Sequence, residues 1–146
     1  MRPLRAPRVD VDVRPGFAAA EARALQTSLH AALTPAERVA LAPVPVEAVL
    51  DAGRDPARVV LVRNLVVGFV PVDRTAEVDA LLARARGLDR RTRVATRGLL
   101  HHDGDLWRVW VGDVPDGGPP PGDDTADTLT PPAPAVLGIP LRHPGA

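Results

Sequence analysis

Cysteine, lysine and tyrosine are missing from the chain altogether. Without cysteine there is no disulfide and no thiolate metal site, although the compartment stays open on that ground. Without lysine, all 18 basic residues are arginine. Together with abundant Ala, Gly, Pro and Val, this looks like the bias of a GC-rich genome, so arginine in place of lysine carries little functional information. Aromatic residues are scarce: Phe17, Phe69, Trp107 and Trp110 are all there are. Val, Leu and Ala must therefore supply most of the core. No run approaches the roughly 18 apolar residues of a membrane span, because Arg63 and Asn64 interrupt the longest one. The opening MRPLRAPRVDVDVRPG is basic but lacks the apolar region of a secretory signal, so a cytoplasmic protein is expected. Catalytic groupings are missing too. The only serine is Ser28, in a helix-forming stretch, and there is no glycine-rich phosphate loop and no HExxH motif. The acid pairs Asp10/Asp12 and Asp123/Asp124 fall in an edge strand and in the tail. The expectation is a protein that is not an enzyme and has no cofactor and no metal.

The 146 residues suit one domain and not comfortably two. The net charge of zero hides an asymmetry. Residues 115–146 hold four aspartates and one arginine, which leaves 17 arginines against 14 acids in residues 1–114. That mild excess of three does not by itself announce a nucleic-acid partner. The same last segment holds nine prolines and five glycines. It cannot bury enough apolar area to offset its ordering entropy, and disorder is expected from 115 to 146. Residues 1–8 read as a flexible arm, which leaves 9–114 as the domain.

Along that domain, Val9 to Val13 alternates as a short strand does. Phe17 to Leu33 is rich in helix formers and predicts a helix. Thr34-Pro35-Ala36-Glu37 is a capping box with proline at the first helical position, so a second helix should start there. Val44 to Leu50 predicts a strand with Val44, Val46 and Ala48 on one face. Two further strands, at about 58–63 and 66–71, flank Arg63-Asn64-Leu65; asparagine tolerates the left-handed conformation of a tight turn. Both are nearly all apolar, which places them inside a covered or closed sheet. Asp73-Arg74-Thr75 should cap a helix running to about Arg86, with Val78, Leu81, Leu82 and Ala85 as its apolar stripe and Gly87 as its stop. A final hairpin joins 91–101 to 106–114 across His102-Asp103-Gly104-Asp105. The fold class is α+β: a small barrel-like, mostly antiparallel sheet with an N-terminal helical segment, one helix after the VGFVP strand, and a C-terminal hairpin.

The hairpin carries the candidate site. With Leu100 facing Trp107, Gly98 facing Val109 and Thr96 facing Val111, one face is core. The other then shows Arg91, Arg93, Arg97 and Leu99, with Arg97 opposite Trp110 and Leu99 opposite Arg108; a one-residue slip would exchange the faces. Arginines beside an exposed indole are what a single-stranded nucleic-acid platform needs. Guanidinium groups meet phosphates, and the ring stacks on a base for roughly 1–3 kcal/mol. Arg84, Arg86 and Arg90 would extend the patch. The same residues also suit a solvated strand face, with Trp110 covered by a cation–π contact from Arg97. His101-His102-Asp103-Gly104-Asp105 reads as a polar hairpin tip: adjacent strand histidines point to opposite faces, which is poor geometry for a metal.

Residues 44 to 114 resemble the HIRAN domain in the order of their motifs. The order runs VPVEAVL (44–50), GRDP (53–56), VVLV (59–62), VGFVP (67–71), a helix, and a closing strand pair that begins TRVATRGLL. FAAAEARALQTSLHAAL is similar to the helical insertion ahead of this strand in some actinobacterial HIRAN-like proteins. The resemblance implies a small β-barrel related in shape to oligonucleotide-binding barrels, single-stranded DNA or DNA ends as ligand, and a helicase or nuclease as partner protein. The family loop reads Asn-Pro-Tyr/His-Asp-Pro-Asn-Ala. Here Ala52, Gly53, Arg54, Asp55, Pro56, Ala57 and Arg58 stand there, so the aspartate is kept and the asparagine and aromatic are not. Phe69 stands where the family often has tyrosine or histidine. The implied contacts are therefore Arg54, Asp55 and Phe69 beside the hairpin residues Arg91, Arg93, Arg97, Arg108 and Trp110. The alternative is a protein-interaction or scaffold module of the same fold with DNA binding lost. An exposed Trp110 among free arginines favours DNA; a buried Trp110 and acid-paired arginines favour the scaffold.

Overall fold

The computed structural model describes residues 6–53, 57–87 and 89–122, and the backbone of 135–136 and 139–140. Its centre is a mixed α+β unit built on one sheet. Strands β3 (Val44–Ala52), β4 (Arg58–Val62) and β5 (Leu65–Phe69) form a meander. Between β4 and β5 both Arg63 (φ 51°) and Asn64 (φ 66°) are left-handed. That is the two-residue turn whose twist matches antiparallel strands, and it is one residue shorter than the sequence suggests.

Strand β6 (Arg93–Asp103) runs antiparallel to β3, from Val44↔Leu100 to Leu50↔Val94, and turns back into β7 (Leu106–Val111). The turn is Gly104-Asp105, with the positive φ of 64° on Gly104 alone. Glycine at the first turn position shifts the pairing by two residues from the expected register. Leu99 stands opposite Trp110 and His101 opposite Arg108. A shift of two preserves the faces. Val94, Thr96, Gly98 and Leu100 are buried with Trp107, Val109 and Val111, as the core face was read.

The N-terminal part departs from expectation in two places. The arm is shorter than 1–8, because β1 (Arg8–Asp10) pairs in parallel with β6 through Arg8↔Arg93, and the Arg93 N–H donates to the Pro7 carbonyl at 2.8 Å. The long helix from Phe17 is not formed. Phe17–Ala18 is strand β2, a single 3-10 turn spans Arg23–Leu25, and helix α1 covers only Gln26–Ala32. Alanine's helix propensity loses to sheet closure here, since propensity is a weak term beside tertiary burial. Phe17 and Ala18 pair with Val111 and Trp110 of β7, and the Ala19 N–H reaches the Val109 carbonyl at 3.0 Å. Ala20 then exchanges two backbone bonds, of 2.8 and 3.1 Å, with Phe69 of β5. The sheet order β2-β7-β6-β3-β4-β5 is thereby joined end to end. This seam needs Gly68: a Cβ there would stand 2.5 Å from the Ala19 Cβ.

Helices α1 and α3 (Thr75–Arg86) pack on this sheet. Helix α2 (Pro35–Ala40) begins with the expected capping box, in which Thr34 and Glu37 bond each other's N–H. A 3-10 turn at Val72–Arg74 leads into α3 (Thr75–Arg86). Asp73 does not cap it; instead the Thr75 hydroxyl donates to the Pro71 carbonyl at 3.1 Å. Val78, Leu82 and Ala85 are buried along α3, and its Asp79 and Arg86 pair with Arg58 of β4 and Asp51 of β3. The core is aliphatic, with Leu29, Leu50, Leu100, Val60, Val62, Val67, Val78, Val94, Val109 and Val111 fully buried. The packed chain runs beyond the expected boundary at 114: the Gly122 N–H donates to Asp103 Oδ2 at 2.7 Å. Further on, β8 (Ala135–Val136) pairs with β9 (Ile139–Pro140). Among the described residues, no helix is long and apolar enough to cross a membrane.

Candidate nucleic-acid interface

The turn after α3 and the start of β6 bring arginines together. Arg86, Arg90, Arg91 and Arg93 line a cleft of about 290 Å³, with Ala6, Val49, Leu50, Asp51 and Thr92. Much of the backbone here is already hydrogen-bonded. Asp89 accepts from the Arg91 N–H at 2.8 Å through its carboxylate and from the Thr92 N–H at 3.1 Å through its carbonyl. The N–H groups of Arg91, Thr92 and Arg93 are therefore not free for a ligand. Arg86 is held by Asp51. Arg90, Arg91 and Arg93 are exposed, and among the described residues none of them has an acid partner.

Arg93 is shared with an adjoining cleft of about 320 Å³, lined also by Pro45, Val46, Glu47, Val49, Arg63 and Asn64. Its charges are mostly spoken for. Glu47 pairs with Arg8, and Arg63 pairs with Glu37 at 2.7 Å while donating to the Ala32 carbonyl. The Arg63 hydrogen bond, with the Thr34 N–H, pulls the Glu37 carboxyl down to about 2. Among the described residues lining the two clefts, the arginines without an acid partner are Arg90, Arg91 and Arg93.

The other expected contacts are not brought to this surface. Trp110 is only 6% exposed, and its indole N–H donates to the Asp113 carbonyl at 2.8 Å. Gly16 lies against the same nitrogen so closely that a Cβ there would be 2.5 Å away. The ring has no free face for a base, so the expected stacking platform is corrected to a structural tryptophan. Arg108 is 5% exposed, with Nε 3.4 Å from Asp103 Oδ2, and the Gly122 backbone is packed on its guanidinium. It is no phosphate contact. Arg97 is exposed in the middle of β6, four residues on from Arg93, with Asp113 at 4.0 Å. Phe69 is half-buried at the Ala20 seam. Arg54 and Asp55 lie outside the described residues.

At the hairpin tip the two histidines go separate ways. His102 meets Trp107 edge to face, ring centroids 5.3 Å apart. His101 is buried, and that burial lowers its pKa, with Arg108 adding in the same direction and Asp103 opposing it.

Sequence reading found Arg86, Arg90, Arg91 and Arg93 but missed Thr92, Asp51 and Arg63. Thr92 carried a signal, as one hydroxyl inside an arginine run. Asp51 and Arg63 carried none, since they reach these clefts only through strand pairing. No family model, no curated protein and no solved structure matches the chain.

Proposed function

We propose that this chain is a non-catalytic, cytoplasmic HIRAN-like module that binds single-stranded nucleic acid through its phosphates. The observation that carries this reading is the grouping of Arg90, Arg91 and Arg93, all exposed and none ion-paired among the described residues, on two adjoining clefts. Guanidinium groups are suited to phosphate oxygens by their planar fork of donors. Trp107, Trp110 and Phe17 are buried, so base stacking contributes little and sequence preference is weak. Affinity then comes from counterion release, with log affinity falling by about 0.7 per contact for each unit of log salt. Three contacts give a slope near −2. A titration of labelled single-stranded oligonucleotides across salt concentrations tests this; no binding at low salt sinks it.

A second reading, a protein-interaction module of the same shape, is favoured by one observation. Two of the expected nucleic-acid contacts, Trp110 and Arg108, are buried. In that case a helicase or nuclease partner protein, not the nucleic acid, would be retained by the chain at physiological salt.

A further inference from the structure

The arginine cleft holds more than is needed to follow a phosphate backbone. We propose that it takes a terminal phosphate, a phosphomonoester at the end of a nucleic-acid strand; this rests on the nucleic-acid reading above. The charge of the cleft favours a monoester. Four arginines line the cleft against one lining acid, Asp51. A backbone diester brings one negative charge, whereas a monoester brings about 1.5 to 2 at neutral pH.

A pair of unpartnered donors favours it as well. Thr92 is 4% exposed and its hydroxyl has no hydrogen-bond partner among the described residues. The Arg86 Nε–H is likewise shielded from solvent and unpartnered among the described residues, while the same guanidinium is anchored to Asp51 through Nη2. Buried polar groups are almost always hydrogen-bonded, so each exception needs a reason. Two exceptions on the wall of one arginine-lined cleft share a reason if a ligand supplies the acceptors. A monoester offers three terminal oxygens and a diester two. The third oxygen is the one that Thr92 and Arg86 would take, with Arg90, Arg91 and Arg93 on the outer two. Both donors are shielded from solvent, so the contact requires side chains of the cleft wall to move aside.

The test compares three forms of one short single-stranded oligonucleotide: 5′-phosphorylated, 3′-phosphorylated, and hydroxyl at both ends. Each is titrated against the full chain, with inorganic phosphate as competitor. The expected result is that a phosphorylated form binds about tenfold tighter than the hydroxyl form, the scale of one charge-assisted hydrogen bond. Which form gains tells which end is held. Inorganic phosphate should remove that advantage first. Thr92→Val, which deletes only an unbonded hydroxyl, should keep the fold and reduce the advantage, and Arg90→Ala should weaken all three forms. Equal affinities for the three forms overturn the end-phosphate proposal and leave the backbone reading standing. An advantage that survives Thr92→Val undiminished overturns its assignment to this cleft. No binding of any form overturns both.

Discussion

The side-chain amide of Gln26 bonds both backbone groups of Trp107: Nε2 donates to its carbonyl at 2.7 Å, and Oε1 accepts from its N–H at 3.0 Å. One side chain at the start of α1 thus takes the place of a neighbouring strand residue beside β7. It also donates to the Ala22 carbonyl, which fixes the 3-10 turn ahead of the helix. Trp107 is buried, so its backbone groups would lose their partners without Gln26. Gln26→Ala is expected to cost about 1–3 kcal/mol, the scale of leaving a buried donor and acceptor unpaired. Urea denaturation checks this. A cost near zero would mean that water replaces the amide and that α1 is held by apolar packing alone.

Gly68 tests the seam. A Cβ at this position would come within 2.5 Å of the Ala19 Cβ, just beside the Ala20–Phe69 pair that joins the sheet ends. Gly68→Ala should destabilise by about 1–3 kcal/mol, as overpacking of a filled site does. Ala19→Gly should restore part of the loss in the double variant, because the clash is between those two atoms. Additive effects in a double-mutant cycle would show that the seam yields elsewhere.

These two contacts mark the division between what the sequence shows and what it hides. The α2 capping box and the Arg63-Asn64 turn depend on residues within a few positions of each other, and both are legible. The core face of the hairpin is legible although the register is not, because glycine at the first turn position moved the pairing by two and kept the parity of the side chains. The seam was hidden. Phe17 to Ala20 has the composition of a helix and becomes strand only because β5 and β7 both present free edges to it. The burial of Trp110 was hidden in part for the same reason: Asp113 is a local partner, but Gly16 reaches the indole only because the adjoining Phe17–Ala18 pairs with β7. The Arg90 to Arg93 run was plain. Its closure into a cleft by Asp51 of β3 and Arg86 of α3 needed the tertiary structure.

Stability should fall with acid in two windows. Burial lowers the pKa of His101 from its ordinary 6.5. The unfolded chain therefore binds the proton more readily, and stability drops as pH falls below about 6.5. Glu37 is lowered from 4.5 to about 2, chiefly by the Arg63 hydrogen bond. Its contribution is complete above about 4.5 and is lost progressively as pH falls towards 2. His101→Gln should flatten the first window and Glu37→Gln the second, each leaving the other in place. Melting temperatures from pH 8 to 2 read both. An unchanged upper window in His101→Gln would place that proton uptake on another group.

The nucleic-acid surface separates from the structural tryptophan in one experiment. Arg93 is exposed where the two clefts meet, so Arg93→Ala should remove one phosphate contact and flatten the salt slope by about 0.7. Arg97 lies in the middle of β6, outside both clefts and facing Asp113, and Arg97→Ala should leave the slope unchanged. Trp110→Phe keeps a ring and gives up the bond to the Asp113 carbonyl, at a cost of about 1 kcal/mol in stability. Its affinity for single-stranded nucleic acid should match that of the unaltered chain, because no base reaches the ring. A loss of affinity in Trp110→Phe with the fold intact would mean that the Gly16–Asp113 cover opens to admit a base. A slope that falls with Arg97 and not with Arg93 would move the interface off the two clefts to the Arg97–Asp113 side of β6.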